Sequence, residues 1–217
     1  MGSVYVETVI AAPLERVWGA TQDHREHARW DVRFGRIEAV AGTAPAEFTY
    51  ATAVLPGVEI AGFGVHGGER RRDGEAVSSL RFGSDDRRSP IRDGAGYWRY
   101  VPVDGGVRFL TGYRYRTRWG RLGRWFDLGF GPVFGWATAW SFDRLRIWLE
   151  HGVPPERARL HAAAELLLRG GLVVAATVDG RPWSLLLATV FAVAVPPHRK
   201  TPAARRCRRR PGKGDQR

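Results

Sequence analysis

Residues 8–31, TVIAAPLERVWGATQDHREHARWD, decide the fold. The stretch opens on the end of an apolar, β-branched run, residues 3–10, which reads as a strand. Pro13 follows where a first helical turn tolerates it, because the N–H it lacks has no intrahelical partner there. Leu14, Val17 and Trp18 then share one face at i, i+3 and i+4. Asp23 is placed to cap a second short helix, HREHARW. The chain thus commits a strand, two short helices and two indoles, Trp18 and Trp30, before it has a core to bury them in.

Outward from there the pattern changes period. Residues 34–41, 46–55, 58–66, 76–82, 96–103 and 107–119 read as strands, separated by turn chemistry at Pro56-Gly57, Asp73-Gly74, Asp93-Gly94 and Asp104-Gly105. Such spacing predicts an antiparallel meander. In 107–119 the alternation puts Val107, Phe109, Thr111, Tyr113, Tyr115, Thr117 and Trp119 on an inward face, with Arg108, Arg114, Arg116 and Arg118 solvated. A long helix is expected from about Pro132 to Glu150, after a break at Gly129–Pro132 and before Gly152. Val133, Trp136, Trp140, Arg144, Ile147 and Trp148 form its main stripe, expected to face the sheet. Phe134, Phe142, Leu145 and Leu149 widen it.

The N-terminal "VIAAPLERVW…ARWD" and the closing "WSFDRLRIWLE" resemble the corresponding motifs of the SRPBCC (START-like, Bet v 1-like) superfamily, most closely its polyketide cyclase/dehydrase and lipid-transport branch. The resemblance implies an α+β helix-grip fold over residues 3–150, a curved antiparallel sheet wrapped around a long C-terminal helix. It implies a cavity between them, closed at one end by Trp18 and Trp30 acting as plugs or as plain core. The function implied is binding of a small hydrophobic ligand such as a lipid or polyketide. The alternative is a cyclase or aromatase acting on a polyketide-like substrate by positioning and acid–base help.

Beyond residue 150, "HGVPPERARLHAAAELLLRGGLVV" is similar to the opening of DoxX-like membrane domains, here in degenerate form. Its two apolar runs, 171–178 and 183–195, each fall short of the roughly 20 residues that span a bilayer. An interfacial helical hairpin, a remnant, or a strand pair around Asp179-Gly180 all remain open for residues 153–195. Residues 196–217 read as a disordered basic tail from their Pro, Gly and Arg bias. That tail holds nine Lys or Arg against one Asp, about +8 of the net charge of +12, so the folded part has no nucleic-acid signature. Apolar insertion plus a basic tail suggests an anionic membrane surface as a partner. The N-terminus lacks the features of a secretory signal, and the lone Cys207 suits a reducing compartment. The expected location is cytoplasmic with membrane association.

Catalytic and metal signatures are sparse. His24 and His27 beside Asp23 form the one close histidine pair, with no third ligand near in sequence, so no metal is expected. There is no Gly-x-Ser-x-Gly, and no Gly-x-Gly-x-x-Gly between a strand and a helix; no cofactor is expected and catalytic residues are unassigned. Nine tryptophans argue for an extensive aromatic interior. The candidate ligand-lining residues are Tyr50, His66, Tyr113, Tyr115, Trp136 and Trp140, each open to a plain core role. Glycine-rich "GFGVHGG", residues 62–68, reads as a bent strand.

Overall fold

The computed structural model describes residues 2–55, 57–72, 74–118 and 120–212. Strand β1 (Gly2–Ile10) leads into α1 (Leu14–Gln22) and α2 (His24–Trp30). The meander follows as β2 (Arg36–Val40), β3 (Glu47–Leu55), β4 (Val58–Arg72), β5 (Glu75–Gly83), β6 (Ile91–Val103) and β7 (Gly106–Thr117). Helices α3 (Gly120–His151), α4 (Pro155–Asp179) and α5 (Pro182–Ala194) complete the chain. Among the described residues the strands form one antiparallel sheet in the order β1-β7-β6-β5-β4-β3-β2, so the first strand closes against the last. This is the helix-grip architecture, with α3 packed across β1 and β7.

The early residues fold as their pattern requires. Asp23 Oδ1 accepts from the backbone N–H groups of Arg25 (2.8 Å) and Glu26 (3.0 Å), capping α2. Trp30 is fully buried, and its indole N–H donates to the Ala20 carbonyl at 2.8 Å, tying α2 back onto α1. Trp18 lies half-buried against Tyr100, ring centroids 5.0 Å apart, with the Arg71 guanidinium over its other side. The two indoles therefore anchor the helical corner to the core.

Four expectations need correction. First, α3 begins at Gly120 and carries Pro132 inside it, so the Gly129–Pro132 sequence does not break the helix. Second, the stripe facing the sheet is Phe134, Thr138, Phe142, Leu145 and Leu149, with Phe142 stacked on Phe109 at 4.5 Å. Trp136 points away and is 50% exposed. On the other stripe Trp140 and Trp148 are partly buried against the main core, and Ile147 packs with Val153 and Ala158 at the start of α4. A helix apolar on two faces does not declare by periodicity which face meets which partner. Third, Arg114 and Arg116 are exposed as expected, but Arg108 and Arg118 are half-buried, Arg108 beside Glu7 at 3.8 Å and Arg118 with Nη2 donating to the Ser84 carbonyl. The predicted turns at Pro56 and Asp73 and the inward Trp119 lie outside the described residues.

The fourth correction concerns the basic tail. Through Gly212 it has a defined course. Thr201, Ala203, Ala204 and Cys207 are buried, with a single 3-10 turn at Ala204–Arg206. Asp143, itself fully buried, accepts from the Ala203 N–H at 2.7 Å and from Arg206 at 2.9 Å. Arg208 pairs with Glu7 as an isolated β-bridge, covering the free edge of β1. Composition alone suggested disorder; buried acceptors elsewhere in the chain give these arginines fixed partners. Residues 213–217 of the tail lie outside the described residues.

Between α3 and this segment, α4 and α5 form a helical hairpin. Gly180, in the left-handed conformation at φ 70°, ends α4, and Pro182 opens α5. The apolar run 171–178 is only the end of α4. At 25 residues this helix is long and apolar enough by length and composition to cross a bilayer, contrary to the expectation that neither run reaches a spanning length; 6% of its apolar window is buried.

Candidate functional site

The polar centre of the fold is set by the end of α2 and the turn after it. His27 and Asp31 stand one helical turn apart, and Arg33 follows two residues later. All three are buried. Arg33 Nε donates to Asp31 Oδ1 at 2.9 Å and Nη2 to Oδ2 at 2.6 Å, a bidentate pair. His27 Nε2 lies 3.2 Å from the same carboxylate, and the Ser141 hydroxyl of α3 lies 3.2 Å from Oδ1. Ser141 Oγ also accepts the Val32 backbone N–H at 3.0 Å.

Burial alone would raise the Asp31 pKa, but the Arg33 guanidinium, through its charge and hydrogen bonds, together with His27 holds it well below the usual carboxylate range. Arg33 is held correspondingly high by Asp31 against the cost of its own burial. Burial lowers the His27 pKa more than Asp31 raises it, which keeps the imidazole neutral at pH 7.

Above this pair lies a ring of aromatics. The Arg33 guanidinium sits 5.4 Å from the Phe34 ring centroid, 5.3 Å from Tyr113 and 5.1 Å from Phe134. Tyr50 packs edge-on against Phe34 at 5.2 Å, and Phe82 against Tyr113 at 5.9 Å. Phe34, Tyr50, Phe82 and Phe134 are half-buried, whereas Asp31, Arg33 and Tyr113 are buried. The Tyr113 oxygen accepts from the Trp98 indole N–H at 3.0 Å and lies 3.5 Å from Arg33 Nη2. Tyr50 donates to the Gly83 carbonyl at 3.2 Å, and burial pushes its pKa up to about 12.

Two glycines make room for these rings. Gly62 pairs across the sheet with Tyr50 and Gly96 with Tyr113, and at both positions a Cβ would overlap the tyrosine ring. The glycine-rich β4 is therefore a bed for aromatic side chains lying over the sheet, as well as a bent strand. Its bend is at Gly68, where φ is 121° beside a register shift.

The six predicted lining residues do not form one group. Tyr50 and Tyr113 belong to the ring around Arg33. His66 is half-buried at one side, its Nε2 3.4 Å from that of His24 and its ring 5.4 Å from Phe48. Tyr115 is buried towards the start of α3, donating to Asp127 at 2.6 Å and packing on Phe130 and Phe134. Trp136 is exposed on the outer face of α3, contrary to expectation. Trp140 is half-buried, packed against the main core with the Arg144 guanidinium 5.6 Å from its ring. Sequence reasoning passed over Asp31, Arg33, Trp98 and Ser141, and weighed His27 only as a metal ligand or part of a solvated helix face, whereas it is buried. The i, i+4 spacing of His27 and Asp31, followed by Arg33 before an aromatic, was the available signal.

The fold defines the class: the chain is a helix-grip protein, with a curved antiparallel sheet closed over a long helix. Among solved structures it is similar to the di-domain ARO/CYC protein StfQ of the steffimycin biosynthetic pathway (TM-score 0.55, 9% identity, 69% of this chain and 50% of that one). It is also similar to a protein of Arthrobacter aurescens (TM-score 0.54, 13% identity, 70% and 88%) and one of Chromobacterium violaceum (0.51, 18%, 69% and 97%). In sequence it is 44% identical over 160 residues to YndG of Bacillus subtilis, described as an uncharacterized membrane protein. That match covers 71% of this chain and 59% of the relative's length. No protein-family model matches the chain.

Proposed function

We propose that this protein binds a small hydrophobic ligand bearing one polar end, with the apolar body among Phe34, Tyr50, Phe82 and Phe134 and the polar end directed at Arg33 and Tyr113. The observation that carries this is the buried Arg33–Asp31 pair floored beneath a half-buried aromatic ring. Sites of this kind bury most of an apolar ligand and orient it with a few placed polar groups. Asp31 neutralises Arg33 as a charge, yet leaves the guanidinium a directional donor for a carbonyl or carboxylate. The likeness to StfQ keeps a second reading in view, a cyclase-type reaction in which Arg33 and Tyr113 polarise a carbonyl. Binding is favoured because Asp31, bound to Arg33, His27 and Ser141, is poorly placed to act as a base.

The test is a titration of the full chain with dodecanoate and dodecanol, followed by tryptophan fluorescence, since Trp98 touches Tyr113. The acid is expected to bind at least about tenfold tighter, the difference of about 1.4 kcal/mol that one charged hydrogen bond supplies. Phe134→Ala should weaken both. Equal affinities, or binding indifferent to Phe134→Ala, would overturn the reading.

The same proposal places the protein at a membrane on the cytoplasmic side, held by the α4–α5 hairpin. Leu166, Leu167, Leu168, Val178, Leu186, Leu187 and Val193 are all at least 60% exposed. Its one mid-helix arginine among the described residues is satisfied within the hairpin. Arg169 pairs with Glu165 and donates to the carbonyls of Ala192 (2.7 Å) and Val195 (3.0 Å) at the end of α5. The description of YndG as a membrane protein supports this. Leu187→Arg discriminates. On an exposed position in water it shifts stability within about 0.5 kcal/mol. In the bilayer core it costs about 2.5–3.5 kcal/mol, or about two decades in vesicle partitioning. Unchanged flotation of this variant on vesicles would sink the membrane placement.

A further inference from the structure

Where the hairpin leaves the domain, the surface holds a cleft that the ligand site does not use. Its volume is about 570 Å³, and it lies between β1, the end of α3 and the C-terminal segment. Five guanidinium groups line it, those of Arg108, Arg146, Arg199, Arg206 and Arg208, together with His151. The carboxylates in its wall are Glu7 and Glu150, and Asp143 lies buried beneath Arg146 and Arg206. Counting the guanidinium and carboxylate groups, positive charge therefore exceeds negative by two.

The pairs are unequal in how far they commit these arginines. Arg146 is held between Asp143 and Glu150, both at 2.7 Å, and Arg206 between Asp143 and the carbonyls of Pro197, His198 and Thr201. These two are fixed walls. Arg208 touches Glu7 through Nη1 at 2.9 Å while 66% of its side chain is exposed. Arg199 is exposed at the rim, with no carboxylate partner among the described residues. A preorganised wall with two accessible guanidinium forks suits a tetrahedral oxyanion better than a planar apolar group.

The position of the cleft is fixed relative to the hairpin. The Lys200 carbonyl lies 3.3 Å from His161 Nδ1, and the His198 N–H donates to Glu165 at 3.2 Å. Arg205 reaches the Val195 carbonyl at 3.1 Å. The segment bearing Arg199 therefore runs beside α4 at residues 161–165 and meets the end of α5, where the apolar hairpin begins. With the hairpin in a leaflet, the rim of this cleft stands at headgroup level.

We propose that the Arg108–Arg146–Arg199–Arg206–Arg208 cleft is a phosphate site that takes the headgroup phosphate of an anionic lipid. The placement rests on the membrane reading given above; the phosphate chemistry rests on the cleft alone. The experiment floats the full chain on phosphatidylcholine vesicles with and without phosphatidic acid, and titrates glycerol 3-phosphate as a soluble competitor. Phosphatidic acid should tighten binding by about tenfold or more, given the contribution each cation makes near an anionic surface. Glycerol 3-phosphate should remove that increment and leave binding to neutral vesicles intact. Arg199→Glu, at an exposed position, should abolish the increment without changing the melting temperature, and Arg208→Ala should reduce it. Arg157→Glu, an equal charge change on an exposed position of α4 outside the cleft, should retain at least half of it. Equal loss in Arg157→Glu and Arg199→Glu would show diffuse attraction and overturn the site. Binding of glycerol 3-phosphate without any phosphatidic acid increment would overturn the lipid source. Failure to float on neutral vesicles, with competition by glycerol 3-phosphate retained, would count against the hairpin and not against the cleft.

Discussion

Replacing Asp31 by Asn keeps the shape of the side chain and removes its charge. In the native structure this carboxylate receives Arg33 Nε and Nη2 at 2.9 and 2.6 Å and the Arg33 N–H at 3.1 Å, beside His27 at 3.2 Å and Ser141 at 3.2 Å. The Asn amide presents an NH2 to one of those donors and leaves the Arg33 guanidinium buried without a counter-charge. Removing one partner of a buried ion pair costs about 3–5 kcal/mol. For a chain of this size each kcal/mol lowers the melting temperature by about 2–4 °C, so a fall of about 6–20 °C is expected. Thermal melting at pH 7 followed by circular dichroism measures that fall, and urea denaturation read by tryptophan fluorescence measures the free-energy loss. The double variant Asp31→Asn/Arg33→Met removes both charges and should recover a large part of the loss, because the penalty lies in the unpaired ion. A cost under about 1 kcal/mol for Asp31→Asn, or a double variant no more stable than the single one, would refute the claim that this pair is dry. The pH dependence has a definite sign. Because the folded pKa of Asp31 is depressed, its contribution is present above the unfolded value near 3.9 and is lost only as pH falls towards the lower folded value.

Two further outcomes follow from the buried titratable groups. Cys207, with its thiol against the Ala139 carbonyl at 3.2 Å, has its pKa pushed up to about 12 by burial and by Asp143; it should resist a thiol reagent at pH 8 and react once urea unfolds the chain. Prompt reaction in the native state would mean the C-terminal segment detaches from α3 and β1. His27 and His24 both have lowered pKa values, mainly through burial, so the unfolded chain binds more protons than the native one just below pH 6.5. Stability should therefore fall on acidification from pH 7 to 5, by at most about 1.4 kcal/mol per pH unit for each histidine, and His27→Gln should flatten the curve. A flat profile in the unsubstituted protein would count against both burials.

Much of this molecule was legible in order and period. The two-residue alternation of β7 separated buried Tyr113 and Tyr115 from exposed Arg114 and Arg116, since a strand has only two faces and one of them met the core. Asp23 before a helical pattern marked a cap that the backbone needs wherever the helix packs, whereas Asp179-Gly180 left a helical hairpin and a strand pair equally open. The alternation and the cap are local demands, met within a few residues of the signal.

What the tertiary structure alone decided is contact between distant segments. Helix α3 is apolar on two faces, and only its neighbours determine that Phe142 meets the sheet while Trp136 faces outward. The arginines of the C-terminal segment look unpartnered in sequence; Asp143 and Glu7, 63 and 201 residues away, give them fixed positions. The polar centre was missed for the same reason. Asp31 and Arg33 resemble any exposed pair in a loop until Trp98, Tyr113, Phe134 and Ser141 close over them. Burial then turns a bridge of little worth in water into the charged floor of an aromatic site.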